Sequence, residues 1–174
     1  MDELEQGARA AGLEITVREY VPVATVRRFG SGAAVEAAVR DLTGQGLPAP
    51  GRLLAAGPYW LAWRSPTETL CVAQEAEAIS RLVVAVGERE DGVALDLTGA
   101  LSAIEVSGAR LDELACRLGG AQGSPGPGEA RRTRLADIAV FAFCPRPQSL
   151  QLLTERPLAS HLLGWIRETL LDLS

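Results

Sequence analysis

Apolar residues recur at helical spacing in four separate stretches of this chain, and the stretches between them are short runs with strand character. This alternation constrains the fold more than any other feature, because helices with one apolar face must be laid on sheets. Pro22 interrupts the run from Leu13 to Arg28, so Val23 to Arg28 is the expected strand. Ser31 is placed to cap a helix that carries Val35, Ala38, Val39 and Leu42 and stops at Gly44. Extended runs follow at Leu53 to Ala56, Tyr59 to Arg64 and Leu70 to Ala73, with Ser65-Pro66-Thr67-Glu68 supplying a hairpin turn. A helix over about Gln74 to Val86 then aligns Ile79, Leu82, Val83 and Val86 before Gly87.

The second half repeats that order. Val93 to Leu97 and Leu101 to Val106 read as strands, and Ser107 is placed to cap a helix bearing Leu111, Leu114, Ala115 and Leu118. Gly119 to Gly128 reads as a surface loop, and Arg131 to Phe143 and Gln148 to Leu153 as further strands. Pro157 suits the first turn of a last helix reaching about Asp172, with Leu158, Leu162, Trp165, Ile166 and Leu170 as its apolar face. The expectation is an α+β protein of two ferredoxin-like βαββα halves with mixed or antiparallel pairing. Residues 1–12 form a flexible arm in this reading, and 13–174 a single domain with lobes at about 13–90 and 91–174.

With 174 residues, 47% hydrophobic and 22% charged, the chain is long enough to bury a proper core. Its formal charge of −5, with no basic block, argues against a nucleic-acid partner. No apolar run reaches membrane-spanning length, and the first residues lack the pattern of a secretory signal, so a cytoplasmic protein is expected. Cys71, Cys116 and Cys144 are too dispersed for a disulfide framework or a zinc site and read as small buried apolar residues.

Candidate chemistry is sparse. The one histidine, His161, falls on the polar face of the last helix, away from any nucleophile-elbow pattern. Asp91, Asp96 and Asp112 read as solvated or capping acids, with Asp96 organising the turn into Leu101. The Gly119 to Gly128 loop follows a helix and precedes strands, the reverse of a phosphate loop. No catalytic, cofactor-binding or metal-ligating residue emerges. Tyr59, Trp60 and Trp63 put aromatic bulk into one strand, with Trp60 on one face and the other two opposite. Together with Arg156, these are the candidate interface anchors, since aromatic and arginine side chains dominate interface energetics.

The segment Gly92 to Gly108 (GVALDLTGALSAIEVSG), followed by the helix from Ala109 to Leu118, resembles the glycine-cleavage T-protein superfamily. Three further stretches resemble the gamma subunits of heterotetrameric sarcosine oxidases: Pro58-Tyr-Trp-Leu61, Pro127 to Ile138 (PGEARRTRLADI), and Glu155-Arg-Pro-Leu-Ala159 to Trp165. The resemblance covers roughly Ala55 to Leu173 and implies a folate-binding T-protein-like fold. It also implies a non-catalytic subunit of a complex with alpha-, beta- and delta-like subunits that oxidises sarcosine or a related secondary amine. FAD, FMN, NAD and tetrahydrofolate are then held by the partner subunits. The alternative is a free-standing folate-binding or one-carbon-transfer protein of the same superfamily. No Lys-Gly-Cys motif of the iron–sulfur-repair branch occurs.

Overall fold

A computed structural model describes residues 8–119 and 124–173. In chain order, a hairpin of β1 (Ala8–Ala10) and β2 (Leu13–Arg18) leads into β3 (Val23–Arg28) and helix α1 (Ala33–Thr43). Strands β4 (Leu53–Ala56), β5 (Tyr59–Ser65) and β6 (Glu68–Ala73) precede α2 (Ala76–Val86), which is followed by β7 (Glu88–Arg89) and β8 (Gly92–Asp96). Then come β9 (Leu101–Gly108), α3 (Leu111–Arg117), β10 (Glu129–Leu135), β11 (Ile138–Arg146) and β12 (Ser149–Glu155). A 3-10 turn (Arg156–Leu158) with Pro157 in its first positions introduces α4 (Ala159–Leu173), as the proline suggests.

The chain divides into two units, one of Val21–Gly99 and the other of the chain on either side of it. Each has its own six-stranded sheet, in the orders β4-β5-β6-β3-β8-β7 and β1-β2-β9-β12-β11-β10. Inside the first, β3, β5, β6 and β8 form a ferredoxin-like sheet. The second repeats it with β9, β11, β12 and β2, so its fourth strand comes from before the inserted unit. Of the two kinds of pairing expected, mixed or antiparallel, the second is found: every pairing between described strands is antiparallel. The expected division near residue 90 is corrected: Gly92–Asp96 pairs with β3, and Leu13–Arg18 pairs with β9, because periodicity names a strand without naming its partner.

Each sheet is covered on one face by its helices. Val35 and Val39 of α1 and Ile79, Leu82 and Val86 of α2 pack with Val26, Leu61 and Ala94 in one core. Leu114, Leu162, Ile166 and Leu170 pack with Ile15, Ile104 and Leu152 in the other. The opposite faces are buried too, through Thr25 and Leu70 in one sheet and Phe141, Phe143 and Leu153 in the other. Burial on both sides leaves five of the six residues of β6 and six of the seven of β12 buried, without the alternation of a half-exposed strand.

Helix starts depart from the expected caps. Gly32 occupies the cap position of α1, at φ 62°, while Ser31 serves the helix from one residue earlier, its Oγ accepting the Ala33 N–H at 3.4 Å. An added Cβ there would lie 2.7 Å from Cδ of Arg28, so a bare backbone suits the position. The carboxylate that serves this helix is remote in sequence: Asp91 Oδ2 accepts the Ala34 N–H at 2.7 Å. Ser107 lies within β9, and α3 begins after Arg110 without a side-chain cap. Residues 1–7 of the expected flexible arm lie outside the described residues, but Ala8–Ala10 is a strand paired with β2, because the backbone turns through Ala11 and Gly12 at positive φ. Residues 120–123 of the glycine-rich loop are likewise outside the described residues.

Candidate functional site

Strand β5 separates its aromatic residues by environment. Tyr59 is 3% exposed, belongs to the helix-covered core, and donates its Oη–H to the carbonyl of Ala78 at 2.8 Å. Its proposed role as an interface anchor is therefore corrected, since alternation directs it under α2. Trp60 and Trp63 are only partly buried, the latter where the β5–β6 register shifts. Arg156, at the start of the turn into α4, has an exposed side chain. Trp60 and Trp63 stand on β5, and Arg156 stands on the turn into α4.

The remaining sequence candidates have structural roles. Asp96 Oδ1 accepts the Thr98 N–H at 2.8 Å, and Thr98 Oγ1 accepts the Val23 N–H at 3.2 Å, so the acid organises the turn leading to β9. Cys71 is wholly buried, and desolvation pushes its thiol up to about 12. Burial also raises the Cys144 thiol, whose Sγ–H donates to the Arg146 carbonyl at 3.0 Å. Cys116 departs from expectation and is exposed, because it sits on the outer side of α3. No group of acidic, histidine or cysteine side chains among the described residues is arranged to hold a metal ion.

One concave feature of the α3/α4 unit was not visible as a motif. An open groove of about 790 Å³ is lined by Arg117 and Leu118 at the end of α3, Arg134, Ala136 and Asp137 around the β10–β11 turn, and His161, Trp165, Thr169 and Asp172 of α4. A smaller notch of about 380 Å³ shares His161 and Trp165 and adds Gly164 and Glu168. The turn is held by a 2.7 Å bond from the Ala136 N–H to the Leu118 carbonyl, and the Arg134 guanidinium donates to the Asp137 carbonyl. Nearby, Arg110 donates to Glu113 Oε2 at 2.9 Å and to the Leu173 carbonyl at 2.7 Å, fastening α3 to the end of α4. The Arg110 hydrogen bond holds the Glu113 carboxyl below its usual range.

Trp165 is 52% exposed although its neighbours in the apolar pattern, Leu162 and Ile166, are fully buried. At 3.6 residues per turn it lies roughly 100° from the centre of the buried stripe, on the side of His161, Glu168 and Asp172. That angular offset was the available signal. Leu158, also assigned to the apolar face, is 38% exposed for a similar reason.

No protein-family model matches the chain. A sarcosine oxidase subunit gamma from Corynebacterium sp. (strain P-1) is 30% identical over 172 residues, covering 95% of this chain and 83% of the relative. A chain of the heterotetrameric sarcosine oxidase from Corynebacterium sp. U-96, solved with pyrrole 2-carboxylate, superposes with a TM-score of 0.81 at 25% identity, covering 98% of this chain and 91% of that one. The glycine cleavage system aminomethyltransferase T of Bartonella henselae shares the fold, with a TM-score of 0.60 at 9% identity over 84% of this chain and 43% of that chain.

Proposed function

The chain belongs to the family of sarcosine oxidase gamma subunits, and from that premise we propose that it is the non-catalytic gamma-like subunit of a cytoplasmic flavin-dependent oxidase acting on sarcosine or a related secondary amine. The observation that carries this reading is the likeness, over 98% of the chain, to a chain of a heterotetrameric sarcosine oxidase. Its partners in this proposal are alpha-, beta- and delta-like subunits, which hold FAD, FMN, NAD and tetrahydrofolate. We also place the chain in the T-protein superfamily, as a subunit whose folate-binding fold serves assembly.

The interior supports an assembly role. The one histidine is exposed in a groove shared with arginines and acids, and Cys71 is a neutral thiol in an apolar core, where it cannot act as a thiolate nucleophile. Trp60, Trp63 and Arg156 are proposed contact residues for the partner subunits, the tryptophans through buried area and the arginine through directional hydrogen bonds. The test is to produce the other subunits with and without this chain, and to measure complex size and amine-dependent turnover. Loss of the complete complex when the chain is withheld, with no visible flavin band on the chain alone, is the expected result. A flavin bound stoichiometrically to the isolated chain refutes the reading, and tight binding of tetrahydrofolate by it favours the free-standing folate-binding alternative.

A further inference from the structure

Gly164 occupies the interior of α4, where glycine is the least favourable residue after proline. The fold itself gives no reason for it. A Cβ built at Gly164 meets nothing within 4 Å, and its φ is not among the positive values that favour glycine elsewhere in the chain. The fold's own need for glycine looks different: at Gly92 an added Cβ would lie 2.2 Å from the Arg27 carbonyl oxygen. Gly164 therefore destabilises the helix without an offsetting contact inside this chain.

Its surroundings supply the missing reason. The notch formed by His161, Gly164, Trp165 and Glu168 exposes 52% of Trp165, the large aromatic surface nearest the bare backbone. Glu168, one turn further along the same face, is exposed and forms no ion pair among the described residues. An indole face beside an unpaired carboxylate attracts a guanidinium or ammonium group through both the ring quadrupole and the charge. A missing side chain at the position before the tryptophan lets a backbone approach α4 closely.

We propose that this notch receives a segment of another subunit of the assembly, one that places an arginine or lysine against Trp165 and Glu168 while its backbone crosses Gly164. The inference rests on the subunit reading above and names the surface and the chemistry of the contact. The full-length chain and its Gly164→Ala, Trp165→Ala and Glu168→Lys variants are titrated with the remaining subunits of the oxidase, produced without this chain, and each variant's melting temperature is measured alone.

Gly164→Ala is expected to melt roughly 2–4 °C higher than the wild type, as a helix-interior alanine should in a chain of this size. It is nevertheless expected to bind at least about tenfold more weakly, because its methyl group occupies the approach path. Trp165→Ala should lose roughly thirtyfold in affinity, the scale of a central interface aromatic. Glu168→Lys should weaken binding most at low salt, where charge repulsion is least screened. A Gly164→Ala variant that melts lower than the wild type shows an internal need for glycine and overturns the proposal. So does affinity within about twofold of the wild type in both Gly164→Ala and Trp165→Ala. Tighter binding by Glu168→Lys overturns the basic partner segment. If the wild-type chain binds none of the subunits, the subunit reading itself fails, an outcome distinct from wild-type binding that these variants leave unchanged.

Discussion

Replacing Asp91 by alanine removes the side chain that satisfies the start of α1 from the far side of a hairpin. Its Oδ2 accepts the Ala34 N–H at 2.7 Å, and the cap position itself is Gly32, which has no side chain to offer. Loss of a side-chain cap costs about 1 kcal/mol. Loss of a negative charge at a helix N-terminus adds about 0.5 kcal/mol. The backbone bond from the Phe29 N–H to the Asp91 carbonyl, 2.8 Å, survives the substitution, so the sum of about 1.5 kcal/mol is the expected effect. For a chain of this size it corresponds to a melting temperature lower by roughly 3–6 °C. Asp91→Asn keeps an acceptor oxygen and loses only the charge, so its loss is about 0.5 kcal/mol and fades in 1 M salt, where the screening length is about 3 Å. Thermal and urea unfolding of the three proteins at low and high salt measure both parts. Melting of Asp91→Ala within about 1 °C of the wild type refutes the capping role. Equal losses in Asp91→Ala and Asp91→Asn refute the division between hydrogen bond and charge.

Cys71 makes stability pH-dependent on the alkaline side. Burial pushes its thiol up to about 12 from the ordinary value of 9.0, so the native state holds the proton longer than the unfolded state. Stability is full below the unfolded value and falls as pH rises through that window, at up to about 1.4 kcal/mol per pH unit, and a Cys71→Val variant should lose this slope in urea titrations from pH 8 to about 10.5. Thiol labelling of the native chain should modify the exposed Cys116 rapidly and leave Cys71 untouched until denaturant is added; native-state labelling of Cys71 contradicts its placement in the core. Tyr59→Phe should cost about 1 kcal/mol in urea unfolding through loss of the bond to the Ala78 carbonyl, while Tyr59→Ala should cost about 3–5 kcal/mol. A Tyr59→Ala chain that keeps wild-type stability would return the residue to the surface.

The local elements were readable because their causes are local. Val35, Val39, Ile79 and Leu82 recur at the helical period, Gly44 and Gly87 stop their helices, and Pro157 opens the last helical segment, each through the conformation of a few adjacent residues. The resemblance carried by Pro58 to Leu61, Pro127 to Ile138 and Glu155 to Trp165 likewise led to the correct family. Tertiary structure decided which strand pairs with which: a hydrogen-bonded ladder depends on the partner's register, so β2 reaches β9 across the whole inserted unit. It also decided that Asp91 joins Ser31 in serving the start of α1, since a cap needs an oxygen at the right place in space, whatever its distance along the chain. The groove beside Trp165 belongs to the same class. Its residues come from α3, the β10–β11 turn and α4, and only their packing makes one concave surface of them.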